Sequence, residues 1–492
     1  MPITKDATLQ KIKHEVLYQV AKYAYEGTLD ENRDQIPFEM IPGPHAAFRC
    51  CIYREREIIR QRIRLAEGKP AGVQDTGNLI QVINSACEGC PITKYIVTDN
   101  CQKCMSRACQ QACRFGAISM GRDKSYIDPS KCKECGQCSK ACPYNAIAEL
   151  TRPCIKSCPV GAISVEDNGT GIAKINDDKC IRCGQCIQKC PFGAIGSKTF
   201  IVEIINRIRA GQEVYAMIAP ASVGQFGPDI TMSSWRTALK KIGFADLWEV
   251  ALGGDLTAHA EAEEWLEAKR KDPEARRTTS CCPAFKLAIQ KHFPELKDLI
   301  SDTVSPMCGV SRLIKREHPG AVTVFIGPCI AKKEETLMGI EGNADFALTF
   351  GEIRAMLRAK DVVLEPEPEE RQDSSLFGKR FANAGGVAAS VLEVIREKGA
   401  EGEITPDDVL HVDGYDEIKK NLLLLKAGRL SQHFIEGMVC TGGCVGGPSS
   451  HRGALQSKKD REALLSTVPK DLGVTGSVKN AGADDLAMDG NN

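Results

Sequence analysis

Apolar residues recur at helical spacing in two stretches of the chain. In CIYREREIIRQRIRLAEG, residues 51–68, Ile52, Ile59, Ile63 and Ala66 share one face, which predicts a helix stopped at Gly68. The arginines on its other side read as a solvated face, with an acidic partner as the alternative. In TFIVEIINRIRAG, residues 199–211, Ile201, Ile204, Ile205 and Ile208 repeat the spacing, with Gly211 as cap. A different grammar follows. EVYAMIAPA, AVTVFIGPC and DFALTF are short continuous apolar runs, the signature of buried strands, and DFALTF leads into the helical GEIRAMLRAK. Strands alternating with helices predict an α/β region with a parallel component. EPEPEERQDSS reads as a surface loop, and the chain from about residue 455, most clearly NAGADDLAMDGNN, as a solvated, flexible tail. Four regions result: a mainly helical segment 1–84, a cysteine-rich region 85–197, an α/β region built from βα units over 198–454, and a tail 455–492.

Charge adds little to this picture. Lysine plus arginine and aspartate plus glutamate both number 64, so no global field draws the chain to nucleic acid or membrane. Cysteine changes it: there are 24 in 492 residues. A chain this long has no need of disulfide staples. Its start, MPITKDATLQKIKHEV, lacks the apolar core of a signal peptide, and no apolar run reaches the length of a membrane span. The expectation is a cytoplasmic protein whose thiols bind metal.

Sixteen of the cysteines lie between Cys87 and Cys190. CKECGQCSKACP and CIRCGQCIQKCP both have the spacing C-x2-C-x2-C-x3-C-P. This is the bacterial ferredoxin arrangement, in which three cysteines hold one [4Fe–4S] cluster and the fourth reaches its partner. A zinc site would need four ligands and no paired halves. CQKCMSRACQQACRFGAI is a looser half of the same kind. The exchange rule groups Cys101, Cys104 and Cys109 with Cys142, then Cys132, Cys135 and Cys138 with Cys113, and Cys180, Cys183 and Cys186 with Cys158. Elimination leaves Cys87, Cys90, Cys154 and Cys190 as a fourth set. The expected domain is ferredoxin-like α+β, and its clusters form a wire, with one of them a candidate for bracing the fold alone.

Cys50 and Cys51 stand apart, and the last six cysteines are scattered. Cys329 follows a buried strand, at the strand end where open α/β sheets bind ligands. Cys440 and Cys444, in EGMVCTGGCVGGP, are spaced so that two thiolates can approach one cluster, and Cys282 of TSCCPAF completes a fourfold site. The segments TSCCPAF, GPCIAKKEE and EGMVCTGGCVGGP, in that order, resemble the three signature segments of [FeFe]-hydrogenases. With VYAMIAPASVGQFG the resemblance covers about residues 200 to 450, and a ferredoxin-like region precedes it as in the family's longer members.

The resemblance implies an H-cluster: a [4Fe–4S] cubane joined through a cysteine sulfur to a di-iron unit carrying CO, cyanide and a bridging dithiolate amine. It implies Cys282, Cys329, Cys440 and Cys444 as cubane ligands, with Cys444 bridging. Lys332 matches the lysine that hydrogen-bonds a cyanide as a point charge. Ala219 and Pro220 match residues packed on the dithiolate, and Met438 lies against the di-iron unit. Cys281, beside the ligand Cys282, would be a free thiol passing protons onward through Glu261, Ser301 and Glu264. The implied reaction is reversible H2 oxidation, with electrons exchanged with a ferredoxin-type carrier and the cofactor installed by maturation proteins. No G-x-G-x-x-G follows a strand as a nicotinamide site would require.

The chain departs from the family's best-studied branch at three positions and so resembles the divergent group B. Gly327 stands in place of a methionine and is expected to open space beside the di-iron unit. Met307 replaces a glutamine, and Cys308 after it is either a thiol beside the cluster or a core residue. Ala268 stands where an arginine ends the relay. Two other readings are a hydrogen sensor with slow turnover and a non-catalytic iron–sulfur transfer or assembly protein.

Overall fold

The computed structural model describes residues 8–72, 77–87, 90, 93–166 and 170–490. The first seven residues, part of the stretch read for a signal sequence, lie outside the described residues, as do the last two. Helix α1 (Leu9–Glu26) starts at Thr8, whose hydroxyl accepts from the Lys11 amide at 3.3 Å, and stops at Gly27 in the left-handed region. Helix α2 (Ile52–Ala66) follows the expected period, with Ile59 and Ile63 fully buried. Its arginines do not form a solvated face. Arg54, Arg56 and Arg64 donate to the carbonyls of Ser85, Ile41, Pro42, Pro70 and Gly72, and Arg62 is itself buried. Loops without regular structure on either side leave carbonyls that need donors, and the arginines supply them.

The cysteine-rich region is built twice. In one lobe Tyr95–Val97 pairs antiparallel with Ile147–Glu149, and Ile118–Met120 with Ser125–Ile127. In the other Ile80–Val82 pairs with Ile195–Ser197, and Ile163–Val165 with Ala173–Ile175. The region therefore begins at Ile80, five residues before the expected boundary, because its last strand needs a partner. Gly184, at φ 77°, turns the chain into the short helix of the second cysteine motif. A Cβ there would lie 2.8 Å from the Ile330 side chain, so this glycine also seats the lobe directly against the α/β region.

That region holds two parallel sheets. The first takes β1 (Val214–Ile218), β2 (Leu247–Glu249), β4 (Val322–Gly327) and β5 (Phe346–Thr349) in the order β2-β1-β4-β5, all parallel. Every residue of β1 and of β4 is buried, as their continuous apolar runs require. Between β2 and β4 come the long helix α3 (Val250–Lys271), the two-residue strand β3 (Arg277–Thr278) and helix α4 (Pro306–Glu317). Helix α5 (Phe350–Ala359) starts at a capping box of Thr349 and Glu352. The second sheet has the order β3-β7-β6, with β6 (Val409–Asp413) and β7 (Phe434–Met438), again parallel. Ile12, Val16 and Val20 of α1 share one core with Ile204, Ile218, Ile326 and Ile353. The amino-terminal helices are thus part of the α/β body and not a separate unit.

The expected tail beyond residue 455 is a correction. It contains helices α6 (Ala454–Ser466) and α7 (Val474–Asn480), with Leu465, Val474 and Val478 buried. Its final stretch docks on α4: the Val304 amide donates to Met488 O at 2.7 Å, and Arg312 donates to the carbonyls of Ala487 and Asp489. Single apolar anchors separated by polar residues hold it, and no continuous pattern announces them. EPEPEERQDSS has no regular structure, yet it is fastened: Glu369 accepts from the Met232 amide, and the Ser375 amide donates to the buried Asp255 at 2.8 Å. Among the described residues no helix is long and apolar enough to cross a membrane.

Candidate active site

Three strand ends converge. Cys329 lies two residues beyond β4, Cys440 and Cys444 follow β7, and Cys282 caps the helix that comes shortly after β3. All four thiols line one apolar cavity, together with Cys281, Ala219, Pro220, Met438 and Lys332. Burial first raises the pKa of each ligand candidate, Cys329 to about 11 and Cys444 to about 12; neighbouring thiols add to the rise at Cys329, Cys440 and Cys444, whereas backbone amides and Lys332 oppose it at Cys282. Four buried thiols that repel one another as thiolates are a donor set suited to a shared cationic iron–sulfur unit. Among the described residues no three such side chains draw together as ligands of one ion would. The set fits a larger unit better than it fits zinc.

Cys281 is buried, and burial followed by the Glu261 charge raises its pKa well above the ordinary thiol value. Glu261, on α3, accepts from the Ser280 amide at 3.3 Å through Oε1, while its Oε2 is buried with no hydrogen-bond partner. Desolvation lifts its pKa to about 8, so it holds a proton at neutrality. Ser301 donates to Glu264 Oε2 at 2.6 Å, and Thr303 donates to the same oxygen at 3.3 Å. The other oxygen of Glu264 accepts from Arg277 Nε at 3.2 Å. Arg277 stands on β3 and meets Glu264 one helical turn before Ala268. Glu264 also borders a surface hollow walled on one side by Val478, Asp484 and Met488 of the carboxyl-terminal segment.

Lys332 is not a lone point charge. Its Nζ bonds Glu335 Oε2 at 2.7 Å and Ser305 Oγ at 2.8 Å, and Ser305 also donates to Glu335. Burial alone would lower its pKa; the Glu335 carboxylate outweighs that and holds it above the ordinary lysine value. Gly327 does not open space either. A Cβ there would lie 2.7 Å from the Phe325 ring and 3.0 Å from Ala219 Cβ, because the Phe325 ring occupies the volume that a longer side chain at 327 would fill. Met307 lines the cavity. Cys308 does not: it packs with Leu252, Leu313 and Met488, which makes it a core residue. Cys50 and Cys51 are exposed.

Sequence reasoning missed Arg277, Phe325, Ser305, Glu335 and Glu436. The last is the clearest omission, since a carboxylate in the apolar run FIEGM is a visible anomaly. Glu436 is 1% exposed, accepts from the Gly385 and Ala388 amides, and is pushed up to about 7 by burial.

Members of each upstream cysteine set lie near one another. Cys154 feels the charges of Cys190, Cys90 and Cys87, which brings the set reached by elimination together, although Glu88 and Gly89 between two of its members lie outside the described residues. Cys186 is next to Cys183, Cys180 and Cys158, and Cys138 next to Cys132 and Cys113. Cys101 and Cys109 both approach Ser125 Oγ, at 3.8 and 4.0 Å. Cys183 in turn neighbours Cys329 and Cys440, so the second lobe abuts the four-thiol site.

Paired cysteine lobes leading to a buried set of thiols at the ends of parallel strands define an iron–sulfur redox enzyme. The comparisons say which kind. Residues 212–448 match the model of the iron only hydrogenase large subunit, C-terminal domain, while residues 125–148 match a 4Fe-4S binding domain and 150–194 a 4Fe-4S dicluster domain. The chain is 31% identical to the periplasmic [Fe] hydrogenase large subunit of Nitratidesulfovibrio vulgaris, over 65% of this chain and 85% of that one. It is 28% identical to iron hydrogenase 1 of Clostridium pasteurianum, over 66% of this chain and 65% of that one. A solved [FeFe]-hydrogenase HydA1 variant from Chlamydomonas reinhardtii aligns at 18% identity and a TM-score of 0.48, covering 59% of this chain and 95% of that one; an overlap at this level adds no argument. The chain belongs to the iron-only hydrogenase family and is an iron hydrogenase.

Proposed function

We propose that this enzyme interconverts H2 with protons and electrons at an H-cluster held by Cys282, Cys329, Cys440 and Cys444, with Cys444 shared between its two parts. The observation that carries this reading is the meeting of those four thiols and Cys281 in one apolar cavity. When bound, the group would supply the redox iron and a basic amine for splitting or forming H2. The chain's own residues do the rest. Ala219, Pro220, Phe325 and Met438 exclude water. Lys332, steadied by Glu335 and Ser305, uses two of its three N–H donors there and keeps the third for a cyanide. Cys281 holds a proton on Sγ and exchanges it with Glu261, which is protonated at neutrality and has a free buried oxygen. Ser301 and Glu264 carry the proton to the surface hollow, with Arg277 holding Glu264 in place. Such a route favours turnover over the non-catalytic reading.

Electrons pass through four [4Fe–4S] clusters in the upstream cysteine sets. The outer lobe, residues 93–149, has nine lysines and arginines against five acids, with Met105 and Tyr126 exposed, which suits an acidic ferredoxin-type carrier. Twenty cysteines serving as iron–sulfur ligands instead of disulfides suit the cytoplasm, although one relative is periplasmic by name. Maturation proteins would install the di-iron part. Infrared spectroscopy of the anaerobically matured chain tests the reading: bands of bound CO and cyanide are expected, and their absence from protein containing all its cubanes would refute it.

A further inference from the structure

A second cavity, of about 520 Å³, lies where α1, α2, the second cysteine lobe and the amino end of α5 meet. Lys13 and His14 of α1, Arg62 of α2, Arg354 of α5 and His451 contribute to its wall. Its one acid, Glu352, is already engaged with Lys333 and with the Thr349 amide. The cations have no such partners. Arg62 is 8% exposed; one of its nitrogens donates to the Gly193 carbonyl, and its Nε has no partner. Lys13 forms no hydrogen bond or ion pair among the described residues, and burial followed by the nearby Arg62 charge pushes its pKa down to about 8. Arg354 meets only His451, at 3.0 Å, and burial drives that imidazole down to about 4, leaving it neutral.

Helix α5, ten residues long, points its start at the same space, since Thr349, Phe350 and Gly351 all line the cavity. The capping box satisfies the amides of Thr349 and Glu352; those of Phe350 and Gly351 find no acceptor among the described residues. A helix start with free amides, an orphaned buried guanidinium and an unmatched ammonium together favour an anion with several acceptor oxygens. The volume falls within the usual range for small-molecule sites. We propose that this cavity binds a phosphate-bearing small molecule, its phosphate held between the amino end of α5, Arg62, Lys13 and Arg354. The cavity is separate from the four-thiol site, and the proposal does not depend on the hydrogenase reading.

Lys13 and Arg62 also lie near the Cys190 thiol, so the competing role is charge balance for the cysteine set that contains it. Calorimetric titration of the full chain, purified without oxygen, separates the two. The probes are inorganic phosphate, pyrophosphate and ATP, each added to the parent, Lys13→Gln and Arg354→Gln. Lys13 is half-buried and Arg354 exposed, so folding is not at stake. Saturable binding at one site per chain is expected, weakened about tenfold in each variant by loss of a charge-assisted contact. Tighter binding of ATP than of phosphate would identify a nucleotide, and equal binding would identify phosphate itself; either supports the site. No saturable heat from any probe, or heat unchanged in both variants, overturns it. A Lys13→Gln chain that shifts only the midpoint potential of an iron–sulfur signal, with no probe binding to the parent, would establish charge balance instead.

Discussion

Phe325 and Gly327 share one volume beside the four-thiol cavity. The ring occupies the space that a side chain at 327 would need, and Gly327 is not at a positive φ, so the constraint is steric only. Gly327→Ala is expected to cost about 1–3 kcal/mol in denaturant unfolding, the usual penalty for overpacking. Pairing it with Phe325→Leu should recover most of that loss; an equal loss in the double variant would mean that the two positions are not coupled. Three buried acids carry a second consequence. Glu261 is raised to about 8, and Glu436 and Asp255 to about 7, in each case first by desolvation. Between pH 5 and 8 the folded chain keeps protons that the unfolded chain has lost, so stability falls as pH rises, by up to ~1.4 kcal/mol per pH unit for each group. Glu436→Gln should flatten this fall between pH 5 and 7, as unfolding midpoints taken across that range will show. An unchanged slope would mean that Glu436 ionises in the folded state at its ordinary pKa.

At the level of elements, the relay is shared by two of them. Helix α3 carries Glu261 and Glu264 three residues apart, and β3, only two residues long, supplies Arg277. Arg277→Gln should lower H2 turnover about three- to tenfold while leaving the infrared bands of the cluster in place, with Arg277→Lys intermediate. Parent-like turnover in Arg277→Gln would remove it from the route. The sequence showed β1 and β4 through their unbroken apolar runs, because full burial on both faces leaves no polar alternation. A two-residue strand has no period to read, so Arg277 could not be placed. The carboxyl-terminal helices were hidden for a related reason: Leu465, Val474, Val478 and Met488 are isolated anchors in a polar stretch, and they find their cores only in three dimensions. The arginines of α2 misled because charge on a helix face usually means solvent, and here it meets loop carbonyls.

Across the whole molecule, thiols trace one path. The outer lobe holds two cysteine sets, the inner lobe two more, and the last of these neighbours Cys329 and Cys440. The cysteine spacings made the lobes and the four-thiol site legible, since cluster ligation constrains sequence as tightly as it constrains space. What spacing could not reveal was the supply of counter-charges, such as Glu335 against Lys332, or how the amino-terminal helices complete the α/β core. In the proposed function the path for electrons ends where the path for protons begins, at adjacent residues: Cys282 for the cluster and Cys281 for the proton. The most direct test of that division of labour is H2 turnover by Cys281→Ser, measured alongside its infrared spectrum. Serine keeps the shape but is far too weak an acid to exchange protons near neutrality. The account predicts an unchanged cluster signature with turnover down by at least about 100-fold; turnover near the parent rate with the same signature would contradict it.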